Sequence, residues 1–137
     1  MVVVDTSVAY KWLSKDEQDS TQALAILNAH LTKENPIIVP NLLLYELANA
    51  WSTKTKLIPE NITDNIKALQ EYSLEIIDID FDFLRKISDF SREYKVTAYD
   101  AAYAVLAIEK GCDLVTADDK FADKVNLPFV KKLSEYE

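Results

Sequence analysis

Glycine, cysteine and histidine each occur once in these 137 residues, and each scarcity removes a class of chemistry. With Gly111 as the sole glycine, the chain has neither a GxGxxG fingerprint nor a Walker A loop, so no nucleotide is held on a glycine-rich turn. Cys112 alone excludes a disulfide within the chain, and with His30 as the single imidazole a Cys/His zinc site lacks ligands. His30 lies in AILNAHLTK, a helical pattern remote in sequence from any candidate nucleophile, and reads as an ordinary surface or core-edge histidine. Long apolar runs are also missing. NLLLYELANAW and AAYAVLAI fall short of the ~20 residues that a membrane span needs. With no signal peptide visible, a cytoplasmic location is expected. Basic charge is scarce, since 15 Lys and Arg face 23 Asp and Glu for a net charge of -8. A broad basic surface for nucleic acid is thereby disfavoured. A nucleic acid whose phosphates are met through bound metal remains compatible.

What the chain does contain is a regular alternation of short apolar runs and longer amphipathic ones, expected to form one domain over residues 1–137. Strands are predicted at Val2–Val4, Ile37–Val39, Glu75–Ile79, Asp113–Thr116 and Pro128–Val130. Helical spacing is predicted at Ser7–Leu13, Asp19–Leu31, Asn41–Lys54, Thr63–Tyr72, Phe83–Tyr94, Tyr99–Lys110 and Asp119–Val125. Such alternation argues for a parallel sheet covered on both faces. In the third helix Leu43, Leu44, Leu47 and Trp51 form the core stripe, extended by Ala50, and Glu46 sits at its edge.

Four acids stand out against this frame. Asp5 directly follows the β-branched run Val2–Val4, and Asp118 follows Leu114-Val115-Thr116-Ala117. Glu46 and Asp100 lie in the opening turns of helices. Singly, each has an ordinary explanation. Asp5 with Thr6, and Asp118 with Asp119, suit helix caps. Glu46 suits a solvated helix edge, and Thr97-Ala98-Tyr99-Asp100 matches a capping box. Jointly they carry more. Strand ends and the helix starts that follow them share one edge of a parallel sheet, where ligands bind. Carboxylates crowded there repel one another unless cations intervene. An oxygen-only set selects a hard cation such as Mg²⁺ or Mn²⁺. Such a cation suits phosphate chemistry, because it lowers the pKa of a bound water and steadies an in-line displacement.

The segments VVVDTSVAYKWL, PNLLLYELANAW, VTAYDAAYAVLAI and DLVTADDKF, in that order, resemble the successive motifs of PIN-domain ribonucleases, and most closely the VapC-like toxins of toxin–antitoxin pairs. The resemblance runs nearly end to end and is weakest over residues 61–90, where only the helix–strand–helix pattern contributes. It implies a three-layer α/β/α sandwich around a parallel sheet, Mg²⁺- or Mn²⁺-dependent endoribonuclease activity, a cognate antitoxin and a homodimer. Position by position, the family's first aspartate falls on Asp5 and its following hydroxyl residue on Ser7. Its glutamate falls on Glu46, with the next asparagine on Asn49. Its later acids fall on Asp100 and on Asp118 of the T-x-D motif, with Thr116 beside the latter. Ser7, Asn49 and Thr116 are expected to hydrogen-bond the acids or their waters. Asp119 departs from the family pattern, and motif position assigns the fourth acid to Asp118.

Other readings compete. A haloacid-dehalogenase-like phosphatase needs a second Asp where this chain has Ser7, and a receiver domain needs an acid pair at the first strand. DNA nucleases with similar acid clusters are usually larger chains with extra DNA-gripping elements. A PIN fold kept as a non-catalytic binding module would have little reason to retain four crowded carboxylates. An antitoxin is expected to block the pocket with an arginine or lysine among the carboxylates. Trp12 and Trp51 are candidate anchors for it, the alternative being that both are core.

Overall fold

The computed structural model of the protein describes residues 1–14 and 17–137. Within these residues five strands form one sheet: β1 (Val2–Val4), β2 (Ile37–Pro40), β3 (Glu75–Ile77), β4 (Asp113–Thr116) and β5 (Val130–Lys132), in the order β3-β2-β1-β4-β5. All four pairings are parallel. β1 is central, with Val2 opposite Ile37 on one side and Asp113 on the other. Val2, Val3 and Val4 are fully buried, as a β-branched run in a sheet covered on both faces requires.

Among the described residues seven helices connect the strands: α1 (Thr6–Ala9), α2 (Ser20–Leu31), α3 (Leu42–Thr53), α4 (Pro59–Glu71), α5 (Phe81–Tyr94), α6 (Ala98–Lys110) and α7 (Asp119–Val125). The chain steps outward from β1 to β2 to β3, then crosses back past β1 to β4 and β5. Right-handed crossovers place the helices of these two excursions on opposite faces, which makes the three-layer α/β/α sandwich. α6 lies along β1, β2 and β4, with α5 packed outside it. Its residues Ala101–Ala107 are all buried, and the alanines among them let the helix sit close to the sheet. The order reverses between β1 and β4, so their carboxyl ends open a crevice of the kind that binds ligands in such sheets.

Several boundaries differ from those predicted. The first helix is shorter than expected, since α1 gives way to a 3-10 turn over Tyr10–Leu13. β3 ends at Ile77, because Asp78 and Ile79 lead into α5, where Asp80 caps Phe83 N–H at 2.8 Å. β5 begins at Val130 rather than Pro128. Pro128 has no N–H to give the ladder, and Val130 N–H turns back to Leu127 C=O. α4 starts at Pro59 instead of Thr63, with proline in its first turn, where its missing N–H is harmless. On α3, Leu43, Leu47, Ala50 and Trp51 are buried as predicted, but Leu44 is exposed.

Both tryptophans are core residues, which removes them as anchors for a partner. Trp12 is buried, donates to Ala23 C=O at 2.9 Å and meets Tyr72 edge to face. Trp51 is 1% exposed. His30 acts as a structural clip. Its Nδ1 accepts from Ile37 N–H at 3.0 Å, which leaves Nε2 to donate to Tyr72 C=O at 2.8 Å. No helix among the described residues is long and apolar enough to cross a membrane.

Candidate active site

Asp5 stands at the carboxyl end of β1 and caps α1 through Val8 N–H. Its backbone N–H still reaches Val115 C=O on β4, so the acid is fixed where the two central strands part. Ser7 Oγ donates to one carboxylate oxygen and Thr116 Oγ1 to the other, each at 2.5 Å. The hydroxyls are oriented from behind, since Ser7 Oγ accepts Ala117 N–H at 2.8 Å and Thr116 Oγ1 accepts Asp118 N–H at 3.0 Å. With those lone pairs occupied, both hydroxyl protons point at Asp5. Burial nevertheless pushes the Asp5 pKa up to about 6, against the pull of Ser7, Thr116 and Val8 and with a push from the Asp100 charge.

Glu46 lies in the second turn of α3, and its Oε1 accepts from Tyr103 Oη at 2.6 Å and from Thr6 Oγ1 at 2.9 Å. Asp100 occupies the first turn of α6, where its backbone N–H is capped by Thr97 Oγ1 at 3.1 Å. Partial burial raises its pKa, and the charges of Asp118 and Glu46 raise it further. Asp118 caps α7 by accepting Phe121 N–H at 3.0 Å. Capping and site placement thus coexist, because the cap positions of α1 and α7 fall at the crevice.

All four acids line one cavity of about 660 Å³. Ser7 and Asn49 line it too, and Thr116 sits beneath it, holding Asp5. Asn49 faces the cavity without a hydrogen bond to any of the four acids, whereas Ser7 and Thr116 both bond Asp5. Asp119 is not among the lining residues. Among the lining residues that sequence reasoning passed over are Thr6, Tyr103, Lys11 and Lys54. Two of them carried a legible signal. Tyr103 is one turn from Asp100, and Lys54 two turns from Glu46 on the same helix face. Lys11 stands 3.7 Å from Glu17, which also lines the cavity.

Among the described residues no three acid, imidazole or thiol groups converge tightly enough to form a metal shell unaided. The donor set still fits a hard cation. It is oxygen only, and among the described residues Glu46 Oε2 and Asp118 Oδ2 accept from no protein donor. Mg²⁺ binds through one or two carboxylates and retains several waters, which suits acids spaced around a wet cavity.

An all-parallel α/β domain with carboxylates gathered at its topological switch point defines a class of acid-pocket domain. Within that class the chain belongs to the PIN domain family, whose sequence model matches residues 2–127. No curated protein matches the sequence significantly. Among solved structures the chain resembles a toxin–antitoxin complex from Klebsiella pneumoniae, at 20% identity and a TM-score of 0.72 over 100% of this chain and 99% of that one. It also resembles VapBC2 from Rickettsia felis bound to a DNA fragment of its promoter, at 22% identity and a TM-score of 0.69, covering 96% and 97% of the two chains. The VapC20 toxin of Mycobacterium tuberculosis, described as cleaving the sarcin-ricin loop, is similar at 14% identity and a TM-score of 0.67, covering 90% and 94%. At these identities the likeness establishes a shared fold.

Proposed function

We propose that the protein is a Mg²⁺- or Mn²⁺-dependent endoribonuclease acting as the toxin of a toxin–antitoxin pair. The observation that carries this reading is the convergence of Asp5, Glu46, Asp100 and Asp118 on one cavity, close enough that Asp118 and Glu46 push the Asp100 carboxyl up. Asp5, Glu46, Asp100 and Asp118 are the residues that would hold the cation. When bound, the cation would lower the pKa of a water and neutralise phosphate charge. The chain's own groups supply the rest. Ser7 and Thr116 lock the Asp5 carboxylate in place. Lys11 and Lys54 lie at the cavity wall, where they can meet the phosphates of an RNA strand that the acids alone would repel. Asp100, at the cavity wall, is placed to accept a proton from the attacking water as the water oxygen bonds to phosphorus, while the leaving oxygen departs and takes a proton from solvent. The sarcin-ricin cleavage ascribed to the Mycobacterium tuberculosis structure favours RNA as substrate.

The Klebsiella and Rickettsia complexes support a cognate antitoxin as partner, whereas a homodimer of this chain rests on the sequence resemblance alone. An antitoxin arginine is the best guest for the pocket, because its planar fork bridges two carboxylates. The test is cleavage of labelled RNA with Mg²⁺, Mn²⁺ or EDTA, beside Asp100→Asn. Cleavage should require metal and fall by about 100-fold or more in the variant. Full cleavage in EDTA, or a variant as fast as wild type, would overturn the proposal, and cleavage of DNA alone would reassign the substrate.

A further inference from the structure

Thr6, Glu46 and Tyr103 come from α1, α3 and α6, and their side chains meet at a single point. Tyr103 Oη lies 2.6 Å from Glu46 Oε1, Thr6 Oγ1 lies 2.9 Å from the same oxygen, and the two hydroxyls are 2.9 Å apart. Two hydroxyl protons must serve these three contacts. An ionised carboxylate is the better acceptor, so both protons go to Oε1 and the hydroxyl–hydroxyl approach follows from the shared target. Tyr103 is 2% exposed, within a run of residues that are otherwise all apolar. Phenylalanine would fill that space without a buried hydroxyl to satisfy, so the oxygen needs a reason to be there.

We propose that Tyr103 and Thr6 are positioning residues for Glu46: by holding Oε1 from two sides they leave Oε2 as the single oxygen that Glu46 offers to a hard divalent cation. This deepens the metal-dependent reading above and rests on it. A carboxylate with both oxygens free can chelate a cation or swing away from it, whereas one oxygen tied to two donors fixes the orientation of the other. Partners of this kind change metal affinity or activity by about 10–100-fold when removed. Thr6 is held by position, since the residue before it, Asp5, is anchored to β4.

The experiment is Mn²⁺ binding by calorimetry on the full chain, without RNA, for wild type, Tyr103→Phe, Thr6→Val, Glu46→Gln and the Tyr103→Phe/Glu46→Gln pair. Melting curves in EDTA report each fold separately. Tyr103→Phe should weaken Mn²⁺ binding about 10–100-fold. Thr6→Val should weaken it less, since the shorter of the two bonds to Oε1, from Tyr103 at 2.6 Å, remains. In the pair, Tyr103→Phe should add almost nothing to the loss from Glu46→Gln, because both act through one carboxylate. A Tyr103→Phe protein that binds Mn²⁺ like wild type while melting lower in EDTA would make Tyr103 a purely structural residue. Effects that add in full would also overturn the coupling. If Tyr103→Phe does not fold, Thr6→Val decides, with unchanged Mn²⁺ affinity refuting the proposal. Absence of Mn²⁺ binding by wild type would fell the metal reading and this inference together, whereas wild-type binding insensitive to both substitutions would fell this one alone.

Discussion

Replacing Asp5 with asparagine should stabilise the metal-free protein at pH 7.5 while destroying its activity. Burial raises the Asp5 pKa from 3.8 to about 6, and with the residue only 7% exposed, solvent screening removes little of the effect. A shift of roughly 2.2 units corresponds to about 3 kcal/mol. The folded protein holds this proton more tightly than the unfolded chain, so it binds the extra proton between about pH 4 and 6. Stability from this group is therefore present below pH 3.8, falls as pH rises through the window to about 6, and is flat above it. Asparagine never ionises, keeps an oxygen for Val8 N–H and the Ser7 hydroxyl, and can donate its amide N–H to Thr116 Oγ1, whose own proton then turns to Ser7 Oγ at 3.4 Å. Its advantage should be about 3 kcal/mol at pH 7.5, about half of that at pH 5 and about a fifth at pH 4. For a chain of this size that is a rise in Tm of about 5–10 °C at neutral pH. Urea denaturation in EDTA at the three pH values measures it directly. A variant no more stable than wild type at pH 7.5, or an advantage that does not shrink toward pH 4, would refute this account of Asp5. Adding Mn²⁺ should stabilise wild type and leave Asp5→Asn nearly unmoved, since a ligand stabilises only the state that binds it.

Lys54→Ala should raise KM for RNA several-fold with little change in kcat, and loss of one phosphate contact should flatten the salt dependence of binding by about 0.7 in the log–log slope. Kinetics at two salt concentrations check this, and an unchanged slope would remove Lys54 from the RNA path. Trp51→Ala should cost about 3–5 kcal/mol of stability, because it empties the place of a 1%-exposed side chain beneath α3. A denaturation midpoint close to wild type would contradict its burial.

The strands and the position of the acids were legible locally. Val2–Val4 and Asp113–Thr116 are short apolar runs of the kind a doubly covered sheet demands, and both strands keep their predicted bounds. Parallel topology then sends the residues that follow them to one edge, which is why Asp5 and Asp118 could be paired across more than a hundred residues. Boundaries set by a single turn were harder. The shift of β5 depends on where Val130 N–H is spent, and the early start of α4 on a proline that reads equally well as a loop. What only the tertiary structure decided are contacts between distant elements. The burial of Trp12 and Trp51 depends on what packs over them, which helical spacing does not record. The convergence of Thr6 and Tyr103 on Glu46 brings together three helices whose approach is set by the sheet beneath them. Periodicity shows which face of an element is apolar. The partner of a lone hydroxyl is chosen by packing, because a hydrogen bond requires both atoms within about 3 Å, and no local pattern measures that distance.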